Sequence, residues 1–163
     1  MSINIQEAIK RSIQTEKNAM NFYQLGALKM NNPDARRTFE LLAKEEREHA
    51  SHFYTIYQGT DIPSLDEFLD SPPDNESSWV STISRLISED FSEKNALELA
   101  MEQEKNLEEA LLDTASKIDV PEIKVVYELN AKETHHHYLL IESEYARLMG
   151  MVHESDMDTF VRE

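Results

Sequence analysis

The chain has 163 residues, which is enough for one domain with a sizeable core. Its 16 basic residues against 32 acidic ones give a net charge of −16, which repels phosphate groups and argues against nucleic acid or an anionic membrane surface as a partner. The absence of cysteine excludes disulfides and thiolate metal sites, and no apolar run approaches the about 18 residues of a membrane span, so we expect a soluble cytoplasmic protein.

The composition predicts an all-α fold, because only three glycines and five prolines interrupt a chain rich in strong helix formers. Apolar side chains recur at helical spacing over about residues 4–31, which predicts the first helix. Asn32 is suited to cap the next helix, and Pro33 is suited to its first position. A second helix is therefore predicted over 33–57, and Gly59 ends it.

Residues 59–92 are rich in Pro, Ser and Asp and form the predicted connection between two halves of the chain. Within this connection, Ser78–Phe91 is predicted to be one short helix. A third helix is predicted over 93–118, capped by Ser92, and a fourth over 121–149, opened by Pro121. We expect one domain over 1–150, followed by a tail, 151–163, that frays or docks on a partner subunit.

The second half of the sequence repeats the first without a gap across both predicted hairpins. Shared helical composition alone would give scattered matches, but here a turn proline, an acidic tripeptide and a histidine coincide at one offset. We therefore interpret the chain as a duplicated helical hairpin. The coinciding pairs include Glu16 with Glu104, Pro33 with Pro121, the Ala-Lys-Glu of 43–45 with that of 131–133, and His49 with His137.

Polar residues interrupt the apolar stripe of each predicted long helix near its middle. Glu16 precedes the first turn by about as many residues as Glu46 and His49 follow it. At about 1.5 Å rise per residue, these side chains lie at the same height, roughly 24 Å from the turn. The repeat carries this geometry to Glu104 and His137, so the sequence predicts one belt of carboxylates and imidazoles inside a four-helix bundle.

A buried carboxylate is costly unless it is neutralised, paired or bound to a metal, and no lysine or arginine stands on these stripes at the same height. Carboxylate and imidazole donors without thiolate suit iron or manganese, and zinc also accepts them. A Glu-x-x-His pair that faces a Glu on the neighbouring helix is the unit of bundle di-metal sites. The candidate ligands are Glu16, Glu46, His49, Glu104 and His137.

Four motifs resemble those of the ferritin-like superfamily, in particular its rubrerythrin-type domains. The resemblance covers roughly residues 4–149 and implies an antiparallel four-helix bundle, in which a long crossover connection joins two hairpins. It also implies two iron ions as cofactor and a hydrogen bond from Tyr23 to a ligand carboxylate. The motifs are EKNAMNFY at Glu16–Tyr23, LAKEEREHASHF at Leu42–Phe53, EKNLEEA at Glu104–Ala110 and KETHHHY at Lys132–Tyr138.

The sequence departs from this family pattern at three points. Thr134 stands where the second Glu-x-x-His needs its Glu, so the residue can only support the site from beside it. Leu107 stands where rubrerythrins carry an extra Glu. The sequence also lacks the cysteines of the rubredoxin domain that delivers electrons in rubrerythrins, so we do not expect a peroxidase that uses this electron route.

Several groups could replace the missing carboxylate. Glu108 ranks first, because it stands one turn beyond Glu104 on nearly the same face. Glu133 lies off the stripe and would need a local bulge, Asn130 is inward but uncharged, and a water is the remaining option. The other histidines are expected at the surface: His52, His135, His136 and His153.

Three functions stay open on the sequence alone. The first is an iron protein with two ions, or one if the second position is lost, that acts as an oxidoreductase on peroxide or dioxygen in oxidative stress or iron handling. The second is a non-catalytic bundle with a mononuclear or degraded metal site, which serves as a binding or assembly module. Iron storage in a large shell is a third reading. By analogy with ferritin-like bundles, we expect a homodimer.

Overall fold

The computed structural model describes residues 3–161 and, among them, the side chains of residues 3–150. Within this range the chain forms helices and no strand, which confirms the predicted all-α class. The helices are α1 (Ile5–Lys29), α2 (Pro33–Thr55), α3 (Leu65–Asp70), α4 (Ser78–Glu89), α5 (Glu93–Ser116) and α6 (Pro121–Val161).

Two hairpins build the bundle. α1 packs along α2, α5 packs along α6, and the hairpins meet where α2 contacts α6. These four helices form the ferritin-like bundle that the sequence predicts, with the connection crossing from the end of α2 to the start of α5. The apolar stripes of all four helices face the common interior, so a polar residue on any stripe is brought into the core.

The turn between α1 and α2 is stabilised by side chains from both hairpins. The Asn32 side chain accepts hydrogen bonds from the backbone N–H groups of residues 34 and 35, at 3.0 and 3.1 Å, and so caps α2. Glu93, at the start of α5, accepts hydrogen bonds from the backbone N–H groups of Asn31 and Asn32. This contact ties the turn of the first hairpin to the beginning of the second and so helps to set their relative height.

The connection packs along the bundle. The helix predicted at Ser78–Phe91 is α4, which packs against α1 and α5. Trp79 of α4 meets Phe22 edge to face at 5.3 Å between ring centroids, and Phe22 meets Tyr23 at 5.0 Å. The six-residue α3 was not predicted, because it buries only Leu69 and therefore shows no apolar periodicity.

The predicted end of the last helix near Gly150 is wrong. α6 continues through this residue to Val161. Gly150 does not adopt the positive φ of a helix-ending glycine, and no proline follows it in the sequence. The expected docking of the tail on a partner and the expected surface position of His153 lie outside the described side chains.

Lys17 anchors the connection to α1. Its side chain is only 1 % exposed, and Nζ donates to Asn21 Oδ1 at 2.9 Å and to the backbone carbonyls of Ser71 and Pro72 at 3.0 and 3.1 Å. Burial lowers the pKa of Lys17, and nearby aspartates oppose that shift. The ammonium group has an acceptor for each of its three N–H bonds, which makes its burial tolerable. Its counterpart in the repeat, Lys105, is exposed.

Replacing Lys17 by Met removes these hydrogen bonds and leaves two backbone carbonyls without their donor. We expect Lys17→Met to lower the free energy of unfolding by about 1–3 kcal/mol. The control is Lys105→Met at the equivalent exposed position, which should change it by less than about 0.5 kcal/mol. Urea unfolding followed by circular dichroism measures both variants. Equal losses in the two would contradict the anchoring of the connection by Lys17.

Candidate metal centre

The five candidate ligand side chains lie together in the interior of the bundle. None of them is more than 3 % exposed, because each stands on the apolar stripe of its helix. All four long helices contribute, so the group exists only when both hairpins are assembled. The set, named the belt below, consists of Glu16 on α1, Glu46 and His49 on α2, Glu104 on α5 and His137 on α6.

Glu46 is the centre of the belt. Its Oε1 lies 3.0 Å from Nδ1 of His49 and 3.4 Å from Nδ1 of His137. The two imidazole rings stack at 4.9 Å with an interplanar angle of 8°. Glu16 Oε1 lies 3.4 Å from His49 Nδ1, and Glu104 Oε2 lies 3.4 Å from His137 Nδ1. Each imidazole therefore lies between two carboxylates, and Glu46 is the carboxylate that both imidazoles share.

A carboxylate from the opposite hairpin holds the outer nitrogen of each imidazole. His49 Nε2 lies 2.8 Å from Glu133 Oε2, and His137 Nε2 lies 2.8 Å from Glu45 Oε1. Because a carboxylate accepts, Nε2–H donates in both pairs, which directs the other ring nitrogen, Nδ1, toward the belt. From the sequence, Glu133 was predicted only as a possible replacement ligand, and Glu45 was given no role. The repeated Ala-Lys-Glu tripeptide was the signal that could have found both.

Thr134 does not replace the missing carboxylate in the belt. It is fully buried, but its hydroxyl donates to the backbone carbonyl of Asn130 at 2.7 Å, within its own helix. The Asn130 amide group is also engaged, since Nδ2 donates to the carbonyl of Val126 at 2.7 Å and Oδ1 lies 3.3 Å from His52 Nδ1. Both polar groups therefore turn to neighbours outside the belt.

Glu108, the first-ranked replacement, also lies outside the belt. Its Oε1 is 3.0 Å from Nδ1 of His135, and both side chains are partly exposed. Although it stands one turn beyond Glu104, its side chain turns to this surface histidine. The expected surface positions of His135 and His136 are confirmed.

Tyr23 is buried beside the belt, but its hydroxyl has no hydrogen-bond partner in the structure. Burial raises the pKa of Tyr23 well above its usual value, and the charge of Glu104 raises it further. The hydroxyl and the Glu104 carboxylate are close enough to interact, and the hydrogen bond that the resemblance implied stays a prediction. Phe22 and Phe39 hold the Tyr23 ring at centroid distances of 5.0 and 4.9 Å.

The pKa values of the belt residues follow from their burial and from the alternation of carboxylates with imidazoles. Burial and the charge of Glu46 raise the pKa of Glu16 to about 7 and that of Glu104 to about 8. Burial alone would raise the pKa of Glu46 too, but the flanking imidazoles lower it to about 2. Burial lowers the pKa of each imidazole, and the adjacent carboxylates outweigh this effect and raise both well above the ordinary value, so His49 and His137 are protonated at neutral pH.

The belt presents more acceptor atoms than the protein satisfies. Both oxygens of Glu16, Glu46 and Glu104 and Nδ1 of each belt histidine are buried with no hydrogen-bond partner outside the belt. The tightest group is Glu46, His49 and His137, with one ligand atom from each within 4.8 Å of the others. These carboxylate oxygens and imidazole nitrogens surround one space, and Glu45 and Glu133 orient the imidazole rings from the outer side. Such a set of donor atoms matches the preferences of iron, manganese or zinc.

An acidic opening leads from solvent to the outer edges of the belt histidines. It lies between α2 and α6 and is lined by carboxylates that include Glu45, Glu48 and Glu133. No helix in the described range has the length and apolar character to span a bilayer.

A family model described as rubrerythrin matches residues 7–144 of the chain. The match starts in α1, ends in α6 and includes every residue of the belt. Comparison with curated proteins and with solved structures gave no match.

The geometry of the belt predicts opposite effects for two of its carboxylates in the metal-free protein. Glu104→Leu removes a buried carboxylate without hydrogen bonds and should raise the free energy of unfolding by about 1–4 kcal/mol. Glu46→Leu removes the anion between two imidazoles and should lower it by about 3–5 kcal/mol. Urea unfolding in the presence of a chelator measures both changes. A loss of stability in Glu104→Leu as large as that in Glu46→Leu would contradict the central position of Glu46.

Proposed function

The chain belongs to the rubrerythrin family, a ferritin-like family of di-iron carboxylate proteins, and on this premise we propose that its belt binds two iron ions and reduces peroxide or dioxygen. Bound ferrous ions would supply the electrons for that reduction. The observation that carries the proposal is the set of buried, unpartnered carboxylate oxygens and imidazole nitrogens. Cations are the partners that satisfy all of these atoms at once.

The geometry assigns a role to each belt residue. Glu16 with His49 would hold one ion, Glu104 with His137 would hold the other, and Glu46 would bridge them, since its Oε1 lies between both Nδ1 atoms. Metal binding requires neutral imidazoles, so it would release the protons that the metal-free belt holds. Tyr23 lies where a shift of Glu104 toward a metal could bring the two side chains into contact.

Thr134 would weaken both metal positions together. By the repeat, Thr134 is the counterpart of Glu46, so the side chain missing at this point would be a second carboxylate between the two positions, whereas the other carboxylate and the imidazole of each position are present. Since Glu46 lies at similar distances from the two imidazoles, the loss is shared between the ions. We therefore expect a weak pair of sites with a common dependence on Glu46, and iron as the ion, with manganese or zinc accepted in its place.

A single ion is the alternative, and a specific observation favours it. Glu46, His49 and His137 by themselves form a compact two-histidine, one-carboxylate group, which is a known arrangement for mononuclear iron. In that case the site would be the mononuclear one considered from the sequence. The homodimer and the cytoplasmic location stay predictions, and iron storage in a large shell stays a third reading.

Metal content distinguishes these functions. We expect the full chain, loaded with ferrous iron without oxygen and then desalted, to hold two ions, and Glu46→Ala to hold fewer than one. Thr134→Glu restores a second bridge and should tighten binding about tenfold or more, equivalent to about 1.4 kcal/mol. Glu108→Ala, which alters a carboxylate outside the belt, is the matched control and should keep the original content.

Reactivity completes the test. The loaded protein should be oxidised by hydrogen peroxide or dioxygen in stopped-flow absorbance measurements, and Glu46→Ala should not show this reaction. One ion per chain in the original protein would establish the mononuclear alternative. Equal iron content in the original protein and in Glu46→Ala would overturn the assignment of the belt as the metal site.

Glu45 and Glu133, which contact the outer nitrogens of the belt imidazoles, give a separate prediction. Glu45→Ala and Glu133→Ala should each weaken metal binding about 10–100-fold, because the imidazole loses the acceptor that orients its ring. Glu48→Ala is the matched control, since Glu48 lines the same acidic opening without a hydrogen bond to either histidine. Competition with a chromogenic chelator measures the affinities. If Glu48→Ala had the same effect, the general negative field rather than imidazole orientation would control affinity.

A further inference from the structure

α6 carries apolar side chains on two opposite sides. On its inner side, Tyr127, Ala131 and Ile141 belong to the core and are at most 2 % exposed. Among the described side chains, seven large hydrophobic ones are exposed, and α1, α2 and α5 carry only one each. The other four stand on the outer side of α6: Val125, Leu129, Leu139 and Leu140. A helix that is apolar on both sides is typical of a helix with packing partners on both sides.

The outer side of α6 follows the spacing of a coiled-coil interface. Starting from residue 125, its members recur at intervals of four, three, four, three and four residues, opposite the core residues of the same helix. This set, named the seam below, is Val125, Leu129, Lys132, His136, Leu139 and Ser143. All six side chains are exposed, so no other helix in the described range covers them.

The seam carries no carboxylate, although the chain has 32 acidic residues and a net charge of −16. Two copies of so acidic a chain repel each other over most of their surface, and they can approach closely only where carboxylates are absent. Within residues 3–150, Lys132 has no ion-pair partner, so its charge is available to a carboxylate of a second copy. The charge pattern therefore makes the seam the face on which another copy of this chain can pack.

The order of residues along the seam is self-complementary. Leu129 and Leu139 lie on either side of a polar middle formed by Lys132 and His136. Residue 134 is the midpoint of both pairs, so a two-fold axis at its height places Leu129 opposite Leu139 of the second copy and Lys132 opposite its His136. A parallel pair in register would instead bring the two Lys132 ammonium groups together. Because polar residues in the middle of such an interface fix its register, this pattern favours the antiparallel pair.

We propose that a second copy of this chain packs on the seam, with the two α6 helices antiparallel and related by that two-fold axis. The inference goes beyond the proposed function and does not require bound metal. Leu41 of α2 lines a groove together with Leu140, which extends the apolar surface at the edge of the seam. The long side chain of Lys132 reaches Glu133 of the second copy, which lies about one helical turn from the His136 that it faces.

The first test measures the mass of the full, metal-free chain by sedimentation equilibrium. We expect a dimer, with twice the 18.9 kDa of one chain. Leu129→Glu places a carboxylate against Leu139 of the second copy and should raise the Kd of the dimer at least about tenfold. Leu112→Glu is the matched control, because it adds the same charge at an exposed leucine of α5, and it should leave the Kd unchanged. Leu129 is 57 % exposed, so circular dichroism should show both variants folded.

The second test establishes the direction of the two helices. The chain has no cysteine, so Leu129→Cys and Leu139→Cys each introduce one thiol per chain. In the antiparallel pair the two residues 129 are about 15 Å apart along the helices, too far for a disulfide, whereas residue 129 faces residue 139. We therefore expect diamide to cross-link an equal mixture of the two variants and neither variant alone.

Each result bears on the inference. A monomer at the highest soluble concentration would overturn it and leave the seam to a different partner. A dimer that Leu129→Glu and Leu112→Glu affect equally would overturn the assignment of the seam. Cross-linking of Leu129→Cys with itself would overturn the antiparallel arrangement. Both tests use protein without metal, so failure of the proposed iron chemistry would not alter their results.

Discussion

The structure depends on one constraint, which is that three carboxylates and two imidazoles lie together in the interior of the bundle, none of them more than 3 % exposed. An ionised group in such surroundings costs several kcal/mol unless an opposite charge lies beside it. The belt meets this condition by alternation, with Glu46 between His49 and His137. Alternation requires that all four helices stand at matching heights. The contact of Glu93 with the first turn and the anchoring of the connection by Lys17 contribute to that alignment.

The duplication explains why the belt is completed across the hairpins. Glu133 of the second hairpin holds the imidazole of His49 in the first, and Glu45 of the first holds His137 in the second. The two contacts are equivalent under the repeat, because Glu45 corresponds to Glu133 and His49 corresponds to His137. Each hairpin thus supplies the acceptor that orients the imidazole of the opposite hairpin, so neither half contains a complete site. Folding of the site is thereby coupled to the packing of α2 against α6.

The sequence could predict what depends on position along a helix. Apolar periodicity and the repeat together placed Glu16, Glu46 and Glu104 inside the bundle with both histidines. They could not predict contacts made across helices by residues off the stripe, and Glu45 and Glu133 are of this kind. Glu108 shows the same limit, because its spacing from Glu104 was suitable but its side chain pairs with His135 at the surface. The extension of α6 beyond Gly150 was missed because a glycine ends a helix only when it adopts the required backbone conformation.

The departure at Thr134 changes the balance between folding and metal binding. A carboxylate at this point would be a fourth buried acid in a belt that has only two imidazoles, so the metal-free fold would lose stability. Threonine avoids that cost, because its hydroxyl is satisfied by the carbonyl of Asn130 within the same helix. The same change removes two oxygen donors from any bound ions and leaves Glu46 as the one carboxylate between the imidazoles. A belt with one shared anion therefore folds more easily without metal and would hold cations less tightly, and both effects come from the absence of a second shared carboxylate.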